Sequence, residues 1–383
     1  MGTLNKVTVS SIYVHAPFCS RRCFYCDFAV EVNSSDNLSA WTRALSGELT
    51  AVEREGVFAM SEAIKTLYVG GGTPSLLGPQ AMKGLAEVIG YSRLEDPELE
   101  WTAEANPETV THDLVESWYN TGVNRMSLGV QSFDTKVLTW MGRLHGPDGA
   151  VQAVNAIKEV GICNLSVDLI FGLPSRLKRC WRTDLFKVLE LDVPHISLYG
   201  LSIEPDTPLG RSVRDGSEFP VDEGQYRDEY LTAVELLRAA GYQHYEVSSF
   251  SHPGFASRHN SAYWDGSPYL GLGNSAHSYS ESYRRWNVRD WGAYNVLATG
   301  TGITWGEGEH LDLASRSLER LWLGLRTASG LQLKDLDDPQ RVILESWVQE
   351  GWGVLEDGRV RLTAEGWLLL DRLTLELDGA PVG

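Results

Sequence analysis

Ser11-Ile-Tyr-Val-His-Ala-Pro-Phe-Cys-Ser-Arg-Arg-Cys-Phe-Tyr-Cys-Asp-Phe28 holds three of the 5 cysteines in a chain of 383 residues. A β-rich run, Ser11–His15, comes first. Cys19, Cys23 and Cys26 follow on the loop that leaves it, spaced C-x3-C-x2-C. Thiolates bind soft metals, and iron–sulfur clusters take cysteine ligands. A cubane 4Fe–4S cluster held by three cysteines keeps one iron open to a small molecule with an amine and a carboxylate. A closed electron-transfer cluster or a structural zinc is normally fully ligated. Zinc on the three cysteines and His15, a Cys3His set, is the alternative; unrelated reduced thiols are a third.

Downstream of this loop the β-rich runs recur: Thr66–Val69, Leu99–Glu104, Arg125–Val130, Leu165–Phe171 and Ile196–Leu201. Helix-length segments lie near residues 38–55, 79–90, 111–121, 148–160, 181–191 and 222–240. In the last of these, Tyr226, Tyr230, Val234 and Leu237 share helical spacing, and Gly241 follows as a stop. Six β/α repeats predict a parallel sheet covered by helices. A doubly wound sheet and a complete or partial barrel both fit. His15, Gly70–Gly72, Glu104, Gln131 and Asp168 fall at or just past strand C-termini, which suits a barrel mouth.

The pattern changes after residue 245, and the expected division is 1–245 for the barrel core, 246–305 for an extension and 306–383 for a C-terminal unit. Leu311–Thr327 reads as an amphipathic helix. Two short strands flank Asp357-Gly358, a hairpin signal, and Thr363 can cap the helix after them. Helix, hairpin and helix suggest a small winged-helix-like domain. Cys163 reads as a small apolar core residue before a buried strand, and Cys180 lies in a basic loop.

The composition, 43% hydrophobic and 22% charged, is that of a folded chain with a substantial core. A formal net charge of −18 argues against general nucleic-acid binding and against a polybasic membrane anchor. No apolar run reaches the roughly 18 residues a membrane span needs. The N-terminus has no signal-peptide plan, so a cytoplasmic location is expected, where thiols stay reduced.

YVHAPFCSRRCFYCDF resembles the signature of the radical S-adenosylmethionine (SAM) superfamily. The resemblance implies a partial (β/α)6, TIM-like barrel. It also implies a 4Fe–4S cluster on Cys19, Cys23 and Cys26, with SAM on the open iron. The chemistry implied is one-electron reduction of SAM to methionine and a 5′-deoxyadenosyl radical. Val69-Gly-Gly-Gly-Thr-Pro74 resembles the superfamily's SAM-amino-group motif, its glycines letting backbone approach a ligand. Further motifs, EANPE, NRMSLGVQSF, GRLH, DLIFGLP and SLYGLSIEPDTPL, resemble the oxygen-independent coproporphyrinogen III oxidase-like subgroup. By matching position the implied SAM contacts are Tyr13, Phe28, Gly71, Gly72, Thr73, Glu104, Gln131, Arg143 and Asp168. A guanidinium at Arg143 suits the SAM carboxylate. Asp168 is costly to bury unpaired and should face the barrel mouth.

That subgroup contains decarboxylating oxidases and haem chaperones. The oxidases carry a further cysteine where this chain has Phe28. They also have a long segment before the cluster loop, whereas 18 residues precede Cys19 here. Arg258-His-Asn-Ser-Ala-Tyr-Trp264 resembles the H-N-x-x-Y-W motif of the chaperones. It implies haem at His259, Asn260, Tyr263 and Trp264, with His259 the axial ligand. Without the resemblance, the segment reads as a loop whose His caps a turn. The implied partners are a haem-accepting protein, contacted at a membrane surface if the acceptor sits there, and a flavodoxin or ferredoxin if SAM is cleaved. Leu270-Gly-Leu-Gly-Asn-Ser-Ala-His-Ser278 departs from the subgroup's pattern, since Ser275 replaces a glycine and Asn274 is unusual. A positive φ there would strain Ser275 and bears on His277.

Overall fold

The computed structural model describes residues 6–32 and 37–379. Its centre is six parallel strands: β1 (Ser11–Ala16), β2 (Thr66–Gly71), β3 (Glu100–Ala105), β4 (Arg125–Gln131), β5 (Asn164–Phe171) and β6 (His195–Gly200). Each pairs with the next in sequence. The helices that follow them are α1 (Asn37–Glu55), α2 (Ala81–Ile89), α3 (His112–Thr121), α4 (Pro147–Val160), α5 (Trp181–Glu190) and α6 (Glu223–Ala239). The six expected repeats are therefore present, and the two-faced burial of the strands is what helices packed outside a parallel sheet produce. Side chains such as Ile12, Val14, Leu67, Val69, Leu128 and Val167 are buried on the helix-facing side.

The opposite face of the strands is polar. Register sets Glu104 beside Ser127, Ser127 beside Ser166, Ser166 beside His195 and Asp168 beside Ser197. These buried groups bond one another, as polar groups out of water must. Ser166 Oγ lies 2.8 Å from His195 Nδ1, and His195 Nε2 lies 2.8 Å from the Tyr245 hydroxyl.

The segment 243–310, for which the sequence reading names no strands, extends the same sheet on both sides. β7 (Gln243–Glu246) and β8 (Ser249–Ser251) add beyond β6. β9 (Tyr269–Leu272) runs parallel to β1, pairing Tyr269 with Ser11 and Leu272 with Val14. β10 (His277–Ser280), β11 (Tyr283–Trp286) and β12 (Glu309–His310) continue outward, giving twelve strands in all with free edges. The barrel is thus open. Buried Glu48 of α1 clamps this arm: its carboxylate accepts from Gly273 N (2.9 Å), Tyr294 Oη (2.6 Å), Asn287 Nδ2 (2.5 Å) and Thr304 Oγ1 (3.1 Å).

Helix α7 (Arg258–Trp264) replaces the loop anticipated for the HNxxYW segment, with Ser257 as its N-cap. Further on, α8 (Trp291–Gly300) and α9 (Leu313–Leu325) lead to a three-stranded sheet of β13 (Leu331–Gln332), β14 (Gly353–Glu356) and β15 (Arg359–Leu362). Asp357 and Gly358 turn the β14–β15 hairpin with φ of 53° and 71°, the signs a type I′ turn needs. The Thr363 hydroxyl caps the next helix by accepting from Gly366 N at 3.1 Å. Cys163 corrects its expectation. It is exposed rather than in the core, because it precedes Asn164 at the strand's solvent-facing start.

Candidate cofactor site

Cys19, Cys23 and Cys26 lie at the C-terminal end of β1, on the wall of a cavity of about 470 Å³. The same cavity is lined by Phe28, Gly71, Gly72, Thr73, Glu104, Gln131, Arg143 and Asp168, so nearly all of the sequence-predicted SAM set converges on it. Tyr13 does not. It lines a second cleft of about 410 Å³, whose walls share Asp27, Phe28, Gly71 and Glu104 with the first.

The GGG turn is shaped by the protein's own atoms as much as by any ligand. A Cβ on Gly71, at φ 107°, would stand 2.2 Å from His15 Cε1. One on Gly72 would stand 2.6 Å from the Pro17 carbonyl carbon, and one on Gly70 would stand 2.8 Å from the Glu104 carboxyl. Close packing of this turn against β1 and β3 places its amides at the cavity edge. Gly71 N donates to Glu104 Oε2 at 3.0 Å, and the Tyr68 hydroxyl donates to Oε1 at 2.7 Å. Burial nonetheless pushes the Glu104 pKa up to about 7. Asp168 is also raised by burial, against hydrogen bonds from Ser197, Ser127 and Ser166. It faces the mouth, as its cost of burial requires.

One polar chain joins two of the cysteines, and its central member, Asn106, escaped the sequence reading. Thr73 Oγ1 lies 3.4 Å from Cys19 Sγ and accepts from Asn106 Nδ2 at 3.0 Å. Asn106 Oδ1 accepts from Arg143 Nη2 at 2.6 Å, and Arg143 Nη1 lies 3.9 Å from Cys23 Sγ. Asn106 stands two residues beyond Glu104, just past the end of β3, and that position was its signal. Arg143 also donates to the Gly129 carbonyl at 2.5 Å. Gln131 sits at a bulge between β4 and β5 with φ 69°, which turns it toward the cavity.

The donor set fits a cluster better than a single ion. A tetrahedral zinc with bonds of about 2.3 Å draws its sulfurs to within roughly 4 Å of one another. Among the described residues, the one group of three metal-binding side chains with all ligand atoms within 4.8 Å is exposed His112, Asp113 and Glu116. The three thiols are spread wider than that. His15 is also committed elsewhere: Nε2 lies 2.9 Å from the Ala29 carbonyl and Nδ1 lies 3.0 Å from the Tyr13 hydroxyl. The Cys3His reading therefore loses its fourth ligand. Burial raises the Cys19 thiol to about 11 and raises Cys26 as well, and a bound cation would favour the thiolate form that binds metal.

The four haem residues expected from HNxxYW all lie on α7. His259 is buried at the opposite end of the barrel from the cysteines. Its Nδ1 lies 2.8 Å from the hydroxyl of Thr66, the first residue of β2, and its Nε2 lies 2.8 Å from the Tyr263 hydroxyl. The Arg258 and His259 amides close on the Glu100 carboxylate at 3.1 and 3.0 Å. Asn260 is half-buried on the same helix. Tyr263 reaches the smaller cleft, whereas Trp264 lines a separate groove toward the C-terminal sheet, under the Arg326 guanidinium at 4.2 Å. Ser275 has φ 61°, so the condition under which its side chain is strained is met.

Comparison with known proteins agrees with this geometry. Residues 13–186 match the Radical SAM superfamily. The chain is 35% identical to "Heme chaperone HemW" of Lactococcus lactis over 86% of this chain and 84% of that one. It is 37% identical to the protein of the same name in Escherichia coli, over 71% of this chain and 70% of the other. The solved coproporphyrinogen III oxidase HemN of Escherichia coli, a radical SAM enzyme, superposes with a TM-score of 0.80 at 22% identity, covering 96% of this chain and 89% of that one. That likeness shows the fold alone. With the cysteine loop, the barrel and these relatives together, the chain belongs to the HemW family of radical SAM proteins.

Proposed function

We propose that this protein is a haem chaperone that holds a 4Fe–4S cluster and SAM and passes haem to an acceptor protein. The observation that carries the cofactor part is the three-thiol set, with no fourth cysteine beside it among the described residues, opening into a cavity lined by Arg143, Glu104 and Asp168. Cys19, Cys23 and Cys26 hold the cluster. Arg143 offers its guanidinium to a carboxylate, and Glu104 and Asp168 offer acceptors to an amine or to ribose hydroxyls. A 4Fe–4S cluster on these thiols would supply one-electron reducing chemistry toward SAM. The chain's own task is to orient that ligand and to keep water out with Tyr25, Phe28 and Leu201 along the wall.

The chaperone reading rests on the named activity of the relatives. It is favoured over porphyrinogen decarboxylation by Phe28, which is 62% exposed on the wall common to both cavities where the oxidases have a thiol. All five cysteines are free, in keeping with work in the cytoplasm. A flavodoxin or ferredoxin is the class of donor that cluster reduction needs.

Anaerobic preparation is expected to yield about four irons and four sulfides per chain, with SAM perturbing the cluster's electron paramagnetic resonance spectrum. Ferric haem is expected to bind and then to move to an apo-haem protein such as apomyoglobin. Anaerobic incubation with coproporphyrinogen III, SAM and dithionite is expected to give no protoporphyrinogen. Turnover in that assay would replace the chaperone reading by the oxidase one.

A further inference from the structure

Charge is unevenly spread over this acidic chain. Asp and Glu outnumber Lys and Arg by 51 to 33. Yet the segments 19–26, 135–143, 175–183 and 207–214 carry Arg and Lys and not one Asp or Glu. The fold gathers all four at the cysteine loop. Phe24 N, between Cys23 and Cys26, donates to the Met141 carbonyl at 3.3 Å, and the Phe24 carbonyl accepts from Leu209 N at 3.0 Å. Tyr25 packs in one apolar cluster with Val137, Met141 and Leu177. The Arg21 side chain lies against Gly142, where an added Cβ would stand 3.8 Å from Arg21 Cδ.

Arg21, Arg22, Lys136, Arg211 and Arg214 are exposed, and among the described residues none of them is ion-paired. Three nearby carboxylates are engaged elsewhere. Arg289 holds Asp27 Oδ1 at 3.0 Å, Arg176 holds Glu218, and Asp134 caps the helix Thr135–Met141 by accepting from Lys136 N at 2.8 Å. Exposed Asp206 and Asp215 border the fourth segment and do not balance the five cations. Beside Glu218, Phe219 is 68% exposed and gives the face an aromatic anchor. A positive face on a chain of net charge −18 attracts an anionic partner while the rest of the surface repels it, so the partner arrives in one orientation. The face is centred on the backbone between two of the three thiols. Closeness to those sulfurs matters to an electron carrier and is of no use to a lipid surface.

We propose that this basic face is the docking surface for the electron donor, an acidic protein with a low-potential one-electron centre, and that Arg21, Arg22, Lys136, Arg211 and Arg214 are its charge partners. One electron passes from the donor's centre to the cluster, oxidising the first and reducing the second. This rests on the cluster reading above and adds the surface on which the donor sits.

The test uses the anaerobically prepared, iron-loaded full chain with an acidic flavodoxin as the probe. Binding is read by calorimetry at low and high salt, and cluster reduction by stopped-flow absorbance. The wild type is expected to bind flavodoxin, with affinity falling about tenfold or more as salt rises. A triple variant, Lys136→Glu with Arg211→Glu and Arg214→Glu, is expected to lose about tenfold or more in affinity and in the rate of reduction by reduced flavodoxin. Its iron content and its reduction by photoreduced 5-deazariboflavin, which is uncharged, are expected to match the wild type. Arg214→Glu alone is expected to show about a threefold loss, which keeps the test open if the triple variant folds poorly. Lys83→Glu, on α2, is expected to change neither affinity nor rate. Equal affinity and rate in the wild type and the charge-reversed variants overturn the assignment, as does an equal loss in Lys83→Glu. A wild type that binds phosphatidylglycerol vesicles through these residues but does not bind flavodoxin also overturns it. A chain that takes up no iron overturns the cluster reading itself.

Discussion

At the scale of single residues, the site depends on atoms that are missing. Gly71 and Gly78 both have positive φ, 107° and 81°. A Cβ on Gly78 meets nothing within 4 Å, whereas one on Gly71 meets the His15 ring. Gly78→Ala should therefore cost only the backbone penalty, about 1–3 kcal/mol at ψ −175°. Gly71→Ala should cost about 3 kcal/mol or more, because strain and overlap act together and His15 is pinned at both nitrogens. Urea denaturation of both variants checks the difference; equal midpoints would show that the His15 packing is looser than these distances imply. The cysteine spacing and GGGTP were legible because they are local. Asn106 was not, since its role exists only once β3 sets it between Thr73 and Arg143. The placement of His259 was not legible either, for a related reason. A motif read along the chain does not reveal that its first residue points into the barrel base while its last points to another groove.

At the scale of elements, the six β/α repeats were readable from period and strand ends, and boundaries agree within a residue or two. The arm from β9 to β12 was not, because its short strands pair at the far side of β1 and carry no alternation strong enough to name them. What secures that arm is a long-range device, Glu48 of α1 accepting from four donors on the segment 273–304. Each bond to a charged acceptor is worth about 1.5–3 kcal/mol, and an amide can accept through only one of its two heads. Glu48→Gln should cost at least about 2 kcal/mol and speed hydrogen exchange across residues 269–286 before the rest of the sheet. Uniform exchange would show that the arm is held by strand pairing alone. Nearer the C-terminus, Thr363→Ala removes an N-cap and should cost about 1 kcal/mol by the same denaturation measurement.

For the whole molecule, buried histidines contribute a destabilising term in acid. Burial lowers His15 to about 4, and His244 and His259 to about 3, and holds His195 well below its ordinary value. Below pH 6.5 the unfolded chain takes up protons that the folded chain refuses. The contribution of each such histidine therefore falls as pH falls from 6.5 toward 4, by about 1.4 kcal/mol per unit, opposed by buried carboxyls such as Glu104 and Asp168, whose raised pKa acts the other way. His244 lies far from the cysteines, stacked on Phe250 at 3.9 Å. His244→Gln should lower stability at neutral pH yet flatten the acid slope by about one proton, measured as denaturation midpoints at pH 6.5, 5.5 and 4.5. Parallel slopes would mean that His244 is already neutralised by residual structure in the unfolded chain.

Phe28, Asp27, Gly71 and Glu104 are a party wall between two chambers. Tenants on either side of it are bound by reciprocity. Whatever factor a nucleoside in one chamber imposes on the grip of the other, the guest in that other chamber must impose in return.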